Sequence, residues 1–201
     1  MKARELSASL PNLITLSRIL VIPWFVGLMI YGHTAAGFFV FILAALSDAL
    51  DGFIARTWKL KTRLGTYLDP LADKLLLTAS FLTLSILGYI PIWATVVVVS
   101  RDIILAVGVL VLDIMLRGSS SVQGGSYLPR PTLLGKITTA FQLLWVTLTL
   151  FSIVFGNMKG VLPAFLWSTV VLTAVSGLHY LYRDIRLLNQ PADSRISPSG
   201  L

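Results

Sequence analysis

The sequence predicts an all-α membrane protein of six spans, and three observations lead there. First, 56% of its 201 residues are hydrophobic and only 12% are charged, against roughly 25% charged in a soluble domain. Second, the mean hydropathy is +0.84. Third, the apolar residues gather into six runs, each close to the roughly 20 residues that carry an α-helix across a hydrocarbon core. Such a chain is neither disordered nor an ordinary water-soluble globule. It holds no cysteine, which excludes disulfide frameworks and cysteine-ligated metal sites.

The spans cover residues 15–31, 36–55, 69–87, 91–116, 134–155 and 162–182. Turn residues separate them at Tyr31-Gly32-His33, at Gly88-Tyr89-Ile90-Pro91, and from Gly156 to Gly160. Residues 1–13 carry Lys2 and Arg4, but Asn12, Thr15, Ser17 and Arg18 interrupt the apolar core that a cleaved signal would need. That opening reads as an interfacial segment. Residues 117–132, rich in Gly and Ser, read as a flexible loop, and the polar residues 189–201 as a frayed tail. There is no internal repeat, and residues 1–188 read as a single domain. The five tryptophans, Trp24, Trp58, Trp93, Trp145 and Trp167, read as lipid or packing contacts.

The 16 basic residues give a net charge of +7. Only Lys159 lies in a loop after the first, third or fifth span, and Arg101 lies inside the fourth. The other fourteen gather at the N-terminus, around the loops after the second and fourth spans, and in the tail. Basic loops stay in the cytoplasm, so both termini are placed there. The positive balance therefore orients spans and does not mark a nucleic-acid partner.

Four of the nine acids cluster. Asp48 and Asp51 are three residues apart at the cytoplasmic end of the second span. Asp69 and Asp73 are four apart at the cytoplasmic start of the third. Each pair shares a helix face, and the connection 56–68 is short enough to make the two spans neighbours. Converging carboxylates repel one another, on the order of several kcal/mol per pair at low dielectric. A hard divalent cation with oxygen ligands offsets that repulsion. The four acids are therefore candidate ligands for Mg²⁺ or Mn²⁺, whereas remote His33 and His179 and the lack of cysteine speak against zinc. The plainer alternative has these acids cap helix ends or pair with Arg56, Lys59, Lys61, Arg63 and Lys74. It explains single acids better than four on two facing stripes. Gly52, Ala55 and Gly65 sit among the acids, where small residues admit a bulky ligand to the backbone or allow close helix packing.

These residues carry a resemblance. The string Asp48-x2-Asp51-Gly52-x2-Ala55-Arg56-x8-Gly65-x3-Asp69-x3-Asp73 resembles, at every fixed position, the signature of the CDP-alcohol phosphatidyltransferases. The likeness runs from Pro11 to about Arg186 and includes the opening from Pro11 through Thr15 to Arg18. It implies a six-helix enzyme, working as a homodimer, that moves a phosphatidyl group from CDP-diacylglycerol to an alcohol and releases CMP. On that resemblance Asp48, Asp51 and Asp69 hold one or two divalent metals, and Asp73 in the same cluster acts as the general base. Gly52, Ala55, Arg56 and Gly65, with Thr15 and Arg18, help to seat the donor. The chemistry agrees, because phosphoryl-type transfer needs its charge neutralised and its nucleophile held in line. The expected location is a bacterial inner or plasma membrane, with the site at the cytoplasmic face.

The acceptor is read from the basic residues. Arg101 and Asp102 lie in the fourth span, where they either satisfy each other or leave Arg101 to hold an acceptor phosphate. Lys136, Arg117 and Arg130 could join it. Ser100-Arg101-Asp102, the approach from Pro131 to Lys136, Thr139, Gln142 and His179-Tyr180 resemble the cardiolipin-forming branch, whose acceptor is phosphatidylglycerol. The alternative acceptor is glycerol-3-phosphate. A reading from another class, a divalent-cation transporter, predicts acids near the bilayer midplane on broken helices. Here they sit at the cytoplasmic edge of continuous runs.

Overall fold

The computed structural model describes residues 17, 19–58, 63–118, 133–156, 158 and 160–188, with side chains left out at 48–71, 109–110, 112–118 and 183–188. The described residues are all-helical and form six helices, without a strand. These are α1 (Ile19–Ile30), α2 (Thr34–Trp58), α3 (Arg63–Ile86), α4 (Ile92–Gly118), α5 (Leu133–Phe155) and α6 (Leu162–Leu188). All of the interfacial opening and all of the tail expected from the sequence lie outside the described residues.

Each helix falls on one of the six apolar runs, but the ends differ. α3 begins at Arg63, six residues before its run, and α6 continues to Leu188, six beyond. An apolar run marks only what could face hydrocarbon, while backbone hydrogen bonding carries the helix on through polar residues. Two helices, Leu133–Phe155 and Leu162–Tyr182, are long and apolar enough to cross a membrane. Only 33% and 17% of their apolar windows are buried, which is not how the core helix of a soluble protein sits. Shorter apolar helical stretches occupy Ile19–Ile30 and Thr34–Ser47.

The expected turns form at glycine. Gly32 and Gly88 adopt φ of 79° and 78°. After α1, Gly32 N–H donates to the Met29 carbonyl and His33 N–H to that of Leu28. After α3, Gly88 donates to Ser85 and Tyr89 to Leu84. Both are Schellman caps, which satisfy carbonyls that the helix end leaves over. Gly156, at φ 75°, closes α5 with a single bond to Ser152.

The chain divides into two compact units. The first comprises Met1–Thr95 and Gln142–Ala164, the second Val96–Phe141 and Phe165–Leu201. In the first, Phe25 of α1 meets Phe41 of α2 with ring centroids 5.8 Å apart, and Phe81 of α3 meets Trp145 of α5 at 5.4 Å. Phe38 lies edge-on to Phe151 and Phe155 of α5. Gly37 brings α1 and α2 close, for a Cβ there would stand 2.7 Å from Met29 Sδ. In the second unit, Phe141 packs on Phe165, and the Thr138 hydroxyl reaches the Leu172 carbonyl at 3.3 Å.

Several polar side chains lie inside the described structure, and many large apolar ones lie outside. Ser80, Thr95, Thr138, Gln142, Thr169, Thr173 and Ser176 are buried, while Leu20, Trp24, Leu43, Ile103, Trp167 and Leu178 each expose more than 40% of their surface. Large exposed apolar faces mark contact with a partner or a membrane.

Candidate active site

The acid cluster belongs to the first unit. α2 ends at Trp58 and α3 begins at Arg63, so four residues, 59–62, join them. Connections this short typically link antiparallel helices. At a rise of 1.5 Å per residue, Asp51 lies about 10 Å before the end of α2 and Asp69 about 9 Å after the start of α3. Asp48 and Asp73 each lie about 15 Å from those ends by the same measure. The two pairs are thus matched in height along their helices.

Register also says which faces they occupy. On α2 the buried Gly37, Phe41 and Ala44 are followed at helical spacing by positions 48, 51 and 55. On α3 positions 69 and 73 precede the buried Leu77, Ser80 and Leu84 at helical spacing. Both acid pairs therefore continue a buried stripe of their helix. Asp73 is the one acid of the four whose side chain is described, and it is half-buried, as is the adjacent Lys74. Among the described side chains no three acids or histidines gather. The side chains of Asp48, Asp51, Gly52, Ala55, Arg56, Gly65 and Asp69 lie outside the described set, although all seven residues lie on α2 or α3. Thr15 and Arg18 lie outside the described residues altogether.

An apolar groove of about 220 Å³ runs beside α1 and α2. Val21, Trp24, Val40, Leu43 and Ala44 line it with Ser17 and Ser47, the last immediately preceding Asp48.

The second unit holds the candidate acceptor residues. Arg101 of α4 is 7% exposed. Its Nη1 donates to Asp102 Oδ1 at 2.7 Å and its Nη2 to Ser176 Oγ at 2.9 Å. The guanidinium carbon lies 6.0 Å from the Tyr180 ring centroid, near the outer limit of a cation–π contact. Nε is buried without a hydrogen-bond partner among the described residues. The neighbour pair is thus formed, as one of the two readings of Arg101 held, and one donor is still left over. Lys136 is exposed on α5. Arg117 lies on α4 with its side chain outside the described set, and Arg130 lies outside the described residues.

Sequence reasoning missed Ser176 and did not connect Tyr180 to Arg101. A signal was present, because Thr169, Thr173, Ser176 and Tyr180 fall at i, i+4, i+7 and i+11 in an otherwise apolar run. Three of them are fully buried. Of the tryptophans, Trp24 and Trp167 are 66% and 60% exposed and Trp145 is buried against Phe81, while the side chain of Trp58 lies outside the described set.

The sequence model of the CDP-alcohol phosphatidyltransferase family matches residues 8–175. The chain is 31% identical to the CMP-forming cardiolipin synthase of Rattus norvegicus, over 90% of this chain and 64% of the relative. It is 31% identical to a probable phosphatidylglycerophosphate synthase of Mycobacterium tuberculosis, over 89% and 83%. It is 33% identical to the CDP-diacylglycerol–glycerol-3-phosphate 3-phosphatidyltransferase of Bacillus subtilis, over 88% and 95%. With the acid signature on α2 and α3 and the match across most of its length, the chain belongs to the CDP-alcohol phosphatidyltransferase family.

Proposed function

We propose that the protein is an integral membrane enzyme of phospholipid synthesis. It transfers the phosphatidyl group of CDP-diacylglycerol to the hydroxyl of a glycerol-type acceptor and releases CMP. The observation that carries this reading is the eight-residue signature on α2 and α3, whose acid positions continue the buried stripes of both helices.

The donor set suits a hard cation, being four carboxylates with neither thiolate nor a nearby imidazole. Asp48, Asp51 and Asp69 would hold Mg²⁺ or Mn²⁺, with Asp73 at the edge of the same cluster. When bound, the metal would neutralise charge on the diphosphate and stabilise the departing CMP. The chain's own residues do the rest. Asp73 takes the proton of the acceptor hydroxyl. The acceptor oxygen bonds to the phosphatidyl phosphorus, the bond from that phosphorus to the bridging oxygen breaks, and CMP leaves with the bridging oxygen. Gly52, Ala55 and Gly65 leave room for the nucleotide, and Arg56, Thr15 and Arg18 contribute polar contacts to the donor. The apolar groove ending at Ser47 gives lipid a place beside the acids.

Arg101 holds the acceptor's phosphate, assisted by Lys136, Arg117 and Arg130. Its positive charge is largely offset by Asp102 at 2.7 Å. With its buried arginine offset in this way, the pocket suits the single charge of a phosphodiester better than the near-double charge of a phosphomonoester. That favours phosphatidylglycerol, with cardiolipin as product. Glycerol-3-phosphate is the second reading, supported by relatives of both kinds. Six spans with both termini in the cytoplasm of a bacterial cell, and assembly as a homodimer, complete the proposal. The charge distribution supports the orientation. Acceptor choice is tested by incubating the purified protein with CDP-diacylglycerol, Mn²⁺ and each acceptor alone, and identifying the lipid product. Cardiolipin formed from phosphatidylglycerol upholds the first choice, and phosphatidylglycerophosphate alone overturns it.

A further inference from the structure

Two residues of α6 surround Arg101 in a way that the signature does not account for. Ser176 is fully buried, and its hydroxyl oxygen accepts from Arg101 Nη2 at 2.9 Å. Gly177 follows it, and a Cβ at that position would lie 3.4 Å from Arg101 Cγ. The arginine's stem thus passes over a bare stretch of α6 backbone while its head is held by the hydroxyl one residue earlier. Asp102 holds the other terminal nitrogen at 2.7 Å. A guanidinium carries five N–H donors in a rigid plane. Fixing both terminal nitrogens fixes that plane, and with it the direction of Nε–H, which has no partner among the described residues. An unpaired donor on a side chain only 7% exposed is unfavourable, and an anionic oxygen of a ligand would satisfy it.

We infer that Ser176 and Gly177 are positioning residues for the acceptor. They hold Arg101 so that its Nε–H meets an anionic oxygen of the acceptor's phosphate. This rests on the proposed transfer reaction and on Arg101 as its acceptor residue. Neither residue touches substrate; each acts through the arginine. The chemical class recognised is a phosphate ester bearing a free hydroxyl, whether lipid-borne or soluble.

The test is steady-state kinetics of CMP release by the full-length protein in detergent, varying donor and acceptor separately. Ser176→Ala should raise the acceptor KM about fivefold, the loss expected for one hydrogen bond, and leave the CDP-diacylglycerol KM unchanged. Ser176→Thr, which keeps the hydroxyl, should restore it. Gly177→Leu, whose side chain would run into the Arg101 stem, should displace the arginine and raise the acceptor KM. An unchanged acceptor KM in Ser176→Ala, alongside a raised one in Arg101→Lys, overturns the positioning role and leaves the transfer reaction standing. Equal rises in both KM values, or a lower thermal stability with no KM change, also overturn it. A wild type that releases no CMP with either phosphatidylglycerol or glycerol-3-phosphate overturns both.

Discussion

Asp73 and Arg101 are the proposed base and the proposed acceptor residue, and each role makes a prediction for a single side chain. Asp73 is half-buried on the interior stripe of α3, where a carboxylate can take a proton from an incoming hydroxyl. Asp73→Asn keeps the shape and removes the base, so kcat should fall at least about a hundredfold while CDP-diacylglycerol still binds. Calorimetry of donor binding checks the second half, and lost binding would remove Asp73 from the base role. Asp48→Asn and Asp69→Asn should act differently, raising the Mg²⁺ or Mn²⁺ requirement at least about tenfold, a loss seen even for outer-shell partners. Titrating metal against CMP release reads it. Arg101→Ala should raise the acceptor KM about tenfold or more, the weight of a charge-assisted hydrogen bond. The matched positions of the acids were legible in the sequence because they depend only on spacing within two adjacent helices. Ser176 was not, because its partner is 75 residues away. A lone serine in an apolar run says nothing about which helix it will meet.

The helices show where sequence reading worked and where it stopped. Their number and order follow from apolar runs, and the breaks at Gly32, Gly88 and Gly156 follow from the positive φ that each cap requires. Replacing Gly88 by Ala forces a side chain into that conformation. It should destabilise the protein by about 1–2 kcal/mol, read as a lower unfolding temperature in detergent with the acceptor KM unchanged. The early start of α3 at Arg63 was not legible, since hydropathy is blind to helix that runs on through polar residues. That extension matters to the site. It puts Asp69 six residues inside a helix rather than at its first residue, and so matches its height to that of Asp51. Packing between helices was also beyond the sequence. In a bilayer, apolar surface gains little by leaving lipid, so close fit holds helices together. Fits such as Gly37 against Met29 depend on which faces meet.

Among the described residues several polar side chains are buried and many large apolar ones exposed, and the basic residues of the sequence are distributed with one strong asymmetry. If both termini are cytoplasmic, residue 159 faces outward and residue 121 inward. The native sequence has no cysteine, so single substitutions report without background. Lys159→Cys should react with a membrane-impermeant maleimide on intact cells, and Ser121→Cys only after permeabilisation. The reverse pattern would invert the topology and put the acids on the wrong face for a cytoplasmic nucleotide. The central claim, that this fold transfers a phosphatidyl group, is tested most directly by CMP release from the purified protein. The assay supplies CDP-diacylglycerol, Mg²⁺ or Mn²⁺, and phosphatidylglycerol or glycerol-3-phosphate. The account predicts CMP release that requires an acceptor, stops when the metal is chelated, and is abolished in Asp73→Asn. No CMP with either acceptor, together with metal uptake into vesicles reconstituted with the protein, would contradict it.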